Sequence, residues 1–448
     1  MFSTFRNAWK IGDLRKRILY TLLILVIFRL GVAVSVPFIN VDVVRSYMES
    51  MSGTILGFMD MMGGDALSNG SLFALGVQPY INASIIIQLL AVAFPSLDRM
   101  RKEGPEGQRK YNRLTRYFGG GLAVALGIGY YWILRSQGAL LYGPAVGTTA
   151  AAPMGAQLFS AFVIVLAFTA GSLLLMWMGE QIDQKGVGNG ISMLIFAGII
   201  SRGGSIFSSV SNYLGLAKGY PELGVAGQPS IYIWLPIIFI LALAAIVLVV
   251  ILNSAERRIP VQYAKKVVGR KMYGGQSSHL PIKVNMSGVM PIIFASSLTS
   301  IPATILTVFT PAEGSFWYTV LNSLSSRGYV YAIIYALLII AFNYFYVAIT
   351  YNPIELANNL KKNNGSIPGI RPGKPTSDFI SKVISKVTLI GAIFLLVVAI
   401  GPIILGNISG VNIQLGGTSL LIVVGVALDT TRSLESFMLM RHHKGFLE

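Results

Sequence analysis

Long uncharged stretches alternate with basic connections along the whole chain. Five stretches contain no acidic or basic side chain: residues 117–134, 158–178, 231–252, 329–351 and 388–405. A helix needs about 20 consecutive apolar residues to cross the hydrocarbon core of a bilayer. Each of these stretches therefore predicts a transmembrane helix.

Five further segments are apolar but short or interrupted by polar residues. Residues 18–36 contain Arg29, and residues 72–94 contain several side-chain amides. The three weakest candidates are residues 191–200, 284–309 and 417–428. Hydropathy alone leaves these three undecided, so the distribution of charge between the stretches must decide whether they cross.

Basic residues cluster in three connections and in the C-terminal tail. They are Arg99, Arg101, Lys102, Arg109, Lys110, Arg113 and Arg116; Arg257, Arg258, Lys265, Lys266, Arg270, Lys271 and Lys283; Lys361, Lys362, Arg371, Lys374, Lys382 and Lys386; and Arg432, Arg441 and Lys444. Lysine and arginine are enriched in cytoplasmic loops. All four groups are cytoplasmic only if all ten segments cross, which leaves Arg45, Arg135, Arg202, Lys218 and Arg327 outside.

The composition agrees with a membrane protein. Hydrophobic residues make up 54% of the chain and charged residues only 12%, which is far from the usage of soluble domains. The net charge of +17 is also typical of nucleic-acid-binding proteins. Because the basic residues follow the predicted topology, we predict a multi-pass membrane protein with both termini cytoplasmic, and no DNA binding.

Recognisable catalytic chemistry is missing from the sequence. The chain has no cysteine and three histidines, which excludes disulfides, thiolate catalysis and cysteine metal sites. It also lacks the metal-binding H-E-x-x-H motif, the G-x-S-x-G elbow and the phosphate-binding loop. We therefore predict no catalytic residues, no metal site, no cofactor and no enzyme activity.

Two short motifs occur twice. Residues 76–84 match residues 288–296, and residues 190–195 match residues 417–422. The members of each pair lie five predicted spans apart, so they cross the membrane in opposite directions, as in inverted-repeat transport proteins. The chain is therefore predicted to consist of two inverted pseudo-symmetric halves of five helices each.

The repeat places four isoleucines at equivalent depths. They are Ile81, Ile195, Ile293 and Ile422, all on the segments that are least suited to face lipid. Branched apolar side chains meeting at one level can close an aqueous path by excluding water. Chance matching in an isoleucine-rich chain and plain helix packing through small residues remain the alternative interpretations.

Residues 53–70 join the first two predicted spans and form an unusual connection. The segment is apolar, with Asp60 and Asp65 as its only charges, but it is too short and too rich in glycine to cross. It is predicted to re-enter the bundle, where protein can satisfy its backbone. An interfacial helix on the outer leaflet is the alternative.

Arg29 is the only charge inside the predicted spans, and Asp429 directly follows the last of them. Arg29 is expected to extend to the outer interface, and Asp429 has Arg432 at a spacing that allows a local ion pair. A path without ionisable groups favours a passive conduit that is driven by a partner. An inverted-repeat secondary transporter of a small solute is the alternative, and an assembly scaffold without a path is a third possibility.

The predicted organisation has five parts. Residues 1–17 form a cytoplasmic segment, 18–207 the N-terminal half, 208–229 an external loop, 230–432 the C-terminal half and 433–448 a cytoplasmic tail. Two long cytoplasmic loops, residues 253–286 and 352–386, are basic and punctuated by turn residues. Their length and charge favour docking of ribosomal RNA or of an acidic motor protein.

Seven motifs resemble the SecY family of protein-conducting channels, which is related to the eukaryotic endoplasmic-reticulum translocon. The most specific are residues 73–81, 176–182, 186–192, 278–285, 358–362, 367–373 and 416–422. The likeness covers essentially the whole chain. It implies an all-α integral membrane protein of ten helices with a short re-entrant plug helix, which conducts unfolded polypeptides and releases transmembrane segments into lipid.

The resemblance also implies roles for particular residues. The pore ring is Ile81, Ile85, Ile195, Ile293 and Ile422, and the plug is Phe58, Met59, Asp60, Met61, Met62, Gly63, Gly64 and Leu67. The lateral gate is Asn82, Gln88, Ser297 and Ile301, and the docking residues are Arg258, Lys265, Arg270, Lys271 and Arg371. Lys271 stands where the family leads us to expect arginine, which weakens that assignment.

The partners implied by the resemblance are SecE and SecG in a heterotrimer, the motor ATPase SecA, the ribosome, signal sequences, preproteins and membrane lipid. The implied location is the bacterial plasma membrane.

Overall fold

The computed structural model describes residues 6, 8–51, 55–142, 153–218, 229–263, 266–268, 271–273, 277–308, 315–325, 328–409 and 417–442. Helices dominate the described residues. The N-terminal half contains α1 Gly12–Ala33, α2 Val41–Ser50, α3 Ile55–Gly63, α4 Gln78–Ala93, α5 Pro95–Lys102, α6 Pro105–Ser136, α7 Met154–Lys185, α8 Gly190–Ser201 and α9 Gly203–Lys218.

The C-terminal half combines helices with short strands. It contains α10 Ser230–Ser254, β1 Glu256–Tyr263, β2 Lys266–Val268, β3 Lys271–Tyr273, β4 Ser277–Lys283, α11 Met290–Val308, α12 Phe316–Ser325, α13 Tyr329–Thr350, α14 Pro353–Lys362, β5 Gly365–Ser366, α15 Lys374–Ser409 and α16 Gly417–His442. The all-α expectation therefore needs a correction, since the connection between α10 and α11 contains a small sheet.

The five uncharged stretches all form long apolar helices. By length and composition, five helices among the described residues can cross a membrane: Pro105–Ser136, Met154–Lys185, Ile231–Ser254, Tyr329–Lys362 and Lys374–Gly406. Each contains one of the five stretches, which confirms those five predictions at the level of the helix. The count of ten spans stays a prediction.

The weaker segments form helices that are bent or short. Helices α4 and α5 meet at 108°, because Phe94 is extended and Pro95 starts the next helix, and a residue before proline avoids the helical conformation. Helix α8 has 12 residues, which span about 18 Å, less than the bilayer core. It ends at Arg202, after which α9 begins.

The two predicted docking loops pack together. Strand β1 pairs antiparallel with β4, with Ile259 opposite Leu280, and its end pairs with β5. Ile259, Val261 and Ile282 form one buried cluster with residues of α14 and α15. The two predicted docking loops are therefore parts of a single packed unit, and the loop predicted for residues 352–386 consists largely of α14 and the start of α15.

Two other connections are also more helical than predicted. Helix α9 continues to Lys218, into the predicted external loop 208–229, and α16 continues to His442, into the predicted tail. The remaining residues of that loop before position 229, and of the tail after position 442, lie outside the described part of the chain. In both places the helix extends past its apolar stretch, and the polar residues that follow this stretch remain helical.

The internal repeat is visible in the backbone. Gly76 and Gly288 have φ angles of 57° and 63°, a left-handed conformation that glycine adopts without steric cost. Helix α4 begins two residues after the first glycine and α11 two residues after the second. Gly190 and Gly417 likewise begin α8 and α16. Matched sequences therefore build matched local structures, as the repeat predicted.

The members of each repeated pair also pack together. Helix α4 contacts α11, and α8 contacts α16. The largest buried core collects side chains from these four helices and from α13 and α15. The place where the two halves meet is therefore also the centre of the molecule.

Candidate pore

Five isoleucines meet in this central core. Their exposed fractions are 5% for Ile81, 9% for Ile85, 2% for Ile195, 3% for Ile293 and 1% for Ile422, and all five belong to one buried apolar cluster. They come from α4, α8, α11 and α16, so both halves contribute. In this structure the five side chains pack in one core that leaves each of them almost unexposed.

The segment between the first two predicted spans lies inside the bundle. We define the plug segment as residues 55–71, which comprise α3 and the turns that follow it. Helix α3 contacts α8 and α11, and Met61 and Met62 are buried in the isoleucine cluster. This position agrees with re-entry into the bundle and disagrees with the interfacial alternative.

The other predicted plug residues occupy defined places in this segment. Met59, Gly63 and Leu67 are partly or fully buried. The backbone of Phe58 lies in α3, while its side chain lies outside what the structure describes. Whether these residues act as a plug stays a prediction at this point.

Asp60 is a buried carboxylate that organises the turn after α3. It is 4% exposed, and its Oδ1 accepts the backbone N–H groups of Leu67 at 3.0 Å and Ser68 at 2.9 Å. The Ser68 hydroxyl donates to its other oxygen. Because a buried carboxylate needs such donors, Asp60 holds the turn in one conformation.

Glycines allow the plug segment to approach α8 closely. A Cβ at Gly198 would lie 2.2 Å from the carbonyl oxygen of Met62, and one at Gly64 would lie 2.8 Å from the hydroxyl of Ser201. Gly64 also has a φ of 70°. Larger residues at these positions would push the segment away from the bundle.

Arg29 makes a contact that the sequence did not predict. It was expected to extend to the outer interface, but its Nη1 donates to the carbonyl oxygen of Gly64 at 2.7 Å. The Gly64 carbonyl directly follows α3 and has no helical partner, and the guanidinium of the exposed residue Arg29 satisfies it. Arg29 is therefore a contact of the plug segment.

Asp429 and Arg432 lie in the C-terminal part of α16 and line one polar cavity. The Arg432 guanidinium donates to the backbone carbonyl of Asn253 at the end of α10. The spacing of three residues had allowed a local ion pair, but this bond instead joins α16 to α10. Among the ion pairs identified in the described residues, none joins Asp429 to Arg432.

The predicted gate residues lie on α4 and α11, which pack together. The Ser297 hydroxyl donates to Oε1 of Gln78 at 3.2 Å, and both side chains are buried. Gln88 bonds within its own helix, to Ser84 at 3.1 Å. Asn82 is partly buried on α4, and the side chain of Ile301 lies outside the described part of the structure.

Gln78 is the gate contact that sequence reasoning missed. It was noted only as one of the amides that weaken the second span. A signal was nevertheless present, since an uncompensated amide in a membrane segment needs a partner. Its partner, Ser297, lies on the helix that is the repeat equivalent of its own.

A polar cavity of about 260 Å³ lies beside the isoleucine cluster, and Val289 and Val426 belong to both. Its lining includes Asn189, Asn253, Asn285, Lys283 and Asp429. Asn285 donates to Asn253 at 2.7 Å, which orders one wall. Its polar lining can accommodate polar groups next to the apolar cluster of the five isoleucines.

The predicted docking residues are only partly placed. Arg258 is exposed at the base of the β1–β4 hairpin and lies 2.7 Å from Glu256, and Arg371 is exposed just before α15. Lys265, Arg270 and the side chain of Lys271 lie outside the described residues. Arg258 and Arg371, the two docking residues whose side chains are described, thus belong to the packed unit of the two predicted docking loops.

Part of the first basic cluster is paired within the protein. Lys102 lies 2.6 Å from Asp98, and its hydrogen bond holds the pKa of that exposed carboxyl below the usual range. Arg116 lies 2.7 Å from Glu180 of the next long helix. The first pair lies within α5 and the second joins α6 to α7, and exposed pairs of this kind contribute little stability.

Comparisons with known proteins agree on one family. The SecY family model matches residues 71–431. The protein translocase subunit SecY of Thermotoga maritima is 40% identical over 459 residues, covering 100% of this chain and 98% of that protein. The protein translocase subunit SecY of Streptomyces coelicolor is 39% identical over 451 residues, covering 100% of this chain and 100% of that protein.

Solved structures share the fold. A structure described as "The structure of a protein conducting channel" matches with a TM-score of 0.61 at 18% identity, covering 94% of this chain and 92% of that chain. "Sec61 in the Canine ribosome-channel complex from the endoplasmic reticulum" matches with a TM-score of 0.57 at 17% identity and the same coverage.

Proposed function

Because this chain belongs to the SecY family, we propose that its five buried isoleucines form the constriction through which unfolded polypeptides pass. The chain is the pore-forming subunit of a protein translocase and a multi-pass membrane protein. The observation that carries the proposal is the meeting of Ile81, Ile85, Ile195, Ile293 and Ile422 from both halves in one buried cluster.

The chemistry of isoleucine suits a reversible seal. An aliphatic side chain offers no hydrogen-bonding group to water or to a hydrated ion, so a closed ring of such residues excludes both. It can also rearrange around a passing chain of any sequence, because apolar contacts are not directional. Met61 and Met62 of the plug segment add a second apolar layer, and thioether side chains adapt to irregular neighbours.

The route into this seal begins at the polar cavity. Asn253 and Asn285 are held by their mutual hydrogen bond, and amides of this kind can exchange hydrogen bonds with the backbone of an extended peptide. Lateral exit runs between α4 and α11. The bond from Ser297 to Gln78 is broken when a signal sequence separates these helices, and Asn82, Gln88 and Ile301 lie along the same pair of helices.

The energy for transport comes from partners in this proposal, and the chain itself performs no catalytic step. The packed unit of the two predicted docking loops carries Arg258 and Arg371 and is the docking surface for SecA or the ribosome. Lys265, Arg270 and Lys271 are further contacts. SecE and SecG complete the heterotrimer. The assembly lies in the bacterial plasma membrane with both termini in the cytoplasm, as the charge distribution supports.

Reconstitution tests the function. Vesicles that contain this chain with SecE, SecG, SecA and ATP are expected to import a preprotein and to protect it from external protease. Omitting SecA or ATP should abolish import. A small-solute transporter would instead show solute flux without a motor, and a scaffold would show neither activity.

Substitutions at the constriction test its residues. Replacing Ile85 and Ile293 with Asn should raise the ion conductance of the resting channel, because amides allow water to remain at that level. Replacement by Leu is the matched control and should leave conductance low. Unchanged conductance in the Asn variant would show that the seal lies elsewhere.

A further inference from the structure

The plug segment is attached to the N-terminal half by charged and polar groups. Nε of Arg202 lies 2.7 Å from Oδ1 of Asp65, with side chains 14% and 32% exposed. The guanidinium of Arg29 donates to the adjacent Gly64 carbonyl at 2.7 Å, and the hydroxyl of buried Tyr130 donates to the carbonyl of Leu67 at 2.8 Å. These three groups come from α1, α6 and the end of α8.

The backbone at this attachment has a specific conformation. Gly64 and Asp65 have consecutive positive φ angles of 70° and 69°, which turn the chain sharply after α3. The turn presents its carbonyl to Arg29 and its carboxylate to Arg202, the residue that ends α8. The close approach of Gly198 to Met62 fixes the same turn against the same helix.

Contacts with the C-terminal half have a different character. The Ser419 hydroxyl lies 3.7 Å from the sulfur of Met61, a weak hydrogen bond. Among the described residues, apolar contacts also join Met59, Met61 and Met62 to the cluster that contains Ile293 and Ile422. A passing apolar segment can replace such contacts, whereas an ion pair in a site of low polarity needs a charged or strongly polar substitute.

We propose that Asp65 and Arg202 form an ionic latch that ties the plug segment to the N-terminal half and sets the threshold for its release. The inference rests on the proposed channel function and deepens it. When the halves separate, the apolar contacts with α11 and α16 break first. The plug segment stays with α8 until the latch also opens, so Asp65 and Arg202 are positioning residues for closure.

Three variants test the latch in the full chain with SecE and SecG. Asp65→Asn removes the charge with a residue that tolerates a positive φ, Arg202→Gln removes the opposite charge, and the third variant carries both changes. Each single change should raise chloride flux through resting vesicles about fivefold, the factor expected for a partly exposed ion pair. The double variant should leak no more than either single one, because the two residues act through one contact.

Arg45→Gln is the matched control. Arg45 also contacts the plug segment, 3.1 Å from Oδ1 of Asn69, but at an exposed position, and its loss should leave flux at the wild-type level. Wild-type flux in both single latch variants, or an additive effect in the double variant, would overturn the latch.

Hydrogen–deuterium exchange separates this proposal from the channel function itself. In Arg202→Gln, exchange should accelerate in peptides from the plug segment and stay unchanged in α6, whether or not the vesicles import preprotein. Equal acceleration in α6 would indicate general unfolding and would count against a latch. Failure of the wild-type chain to import, together with local acceleration in the variant, would reject the channel function and retain the contact.

Discussion

The two halves meet along two seams that are held in different ways. The gate seam is the contact of α4 with α11, where a neutral hydrogen bond runs from Ser297 to Gln78. The far seam joins α16 to α1 and α8. It contains a buried cluster of Leu14, Ile18, Val187 and Leu434 with Ala8.

Further contacts reinforce the far seam. The guanidinium of Arg17 lies 5.1 Å from the centre of the Phe437 ring, a favourable cation–π geometry. The Thr430 hydroxyl lies 3.5 Å from the sulfur of Met193, and Gly188 packs against Thr430. Helices α1 and α16 are thus tied together beside the loop between α7 and α8.

The difference follows from the solvent around each seam. Leu14 and Leu434 lie outside the predicted spans, where burial from water contributes about 1.5–3 kcal/mol for each large apolar side chain. At bilayer depth, lipid is as apolar as the side chains it replaces, so no comparable force holds α4 to α11. A neutral hydrogen bond contributes only about 1 kcal/mol. The gate seam is therefore the one that we expect to open, with the far seam as the pivot.

Cross-linking should produce the largest effect. Because the chain contains no cysteine, a pair introduced at Gln78 and Ser297 can be joined by a short thiol-specific reagent. Import should be almost abolished and should return after the linker is cleaved. The matched pair at Met193 and Thr430 crosses the far seam, and linking it should leave import nearly unchanged. Equal inhibition by both linkages would refute the assignment of gate and pivot.

Truncation in the far seam should have the next largest effect. Leu434 is 0% exposed, and Leu434→Ala should lower the free energy of unfolding in detergent by about 2–4 kcal/mol through lost burial and a residual cavity. Leu439→Ala on the same helix is the control, since Leu439 is 68% exposed. Similar losses in the two variants would mean that the cluster does not hold the seam.

Alanine at the repeated glycines should have a smaller effect. Gly76→Ala and Gly288→Ala each force a Cβ into a left-handed conformation, which costs about 1–2 kcal/mol. Nothing lies within 4 Å of either added Cβ, so strain rather than collision is responsible. Gly121→Ala in α6 is the control, because that site is also open and its φ is ordinary. Thermal unfolding in detergent measures all three, and no difference from Gly121→Ala would exclude strain.

Loss of the gate hydrogen bond should have the smallest effect. Ser297→Ala should destabilise the closed seam by about 1 kcal/mol and so increase import of a preprotein with a weakened signal sequence roughly fivefold. Thr299→Ala is the control, since that hydroxyl bonds to the Ala295 carbonyl of its own helix. Equal import by both variants would show that the cross-seam bond does not restrain the gate.

Some local features were predictable from particular residues. The glycines at positions 76 and 288 could be identified as equivalent because the residues after them also match, and both adopt the same φ region. The β1–β4 hairpin was missed, although a signal was available. Ile259 and Val261 alternate with exposed neighbours, a period of two that is typical of a half-buried strand.

The polar partners could not be predicted in the same way. Arg29 was expected at the interface, yet it reaches the Gly64 carbonyl, and Arg202 was counted only as an outer charge, yet it pairs with Asp65. Each partner is distant in sequence. Spacing rules describe neighbours on one helix, and they carry no information about which loop folds back against it.

The sequence by itself determined that the chain enters a membrane, where five of its long apolar helices run and that its halves are related. These properties follow from apolar length and from charge summed along the chain, and neither requires knowledge of a contact. Only the tertiary structure decided that the five isoleucines pack in one cluster, that Ser297 donates to Gln78 and that Asp65 forms an ion pair with Arg202. Such pairs depend on how separate helices approach, and that approach is set by packing of the whole bundle.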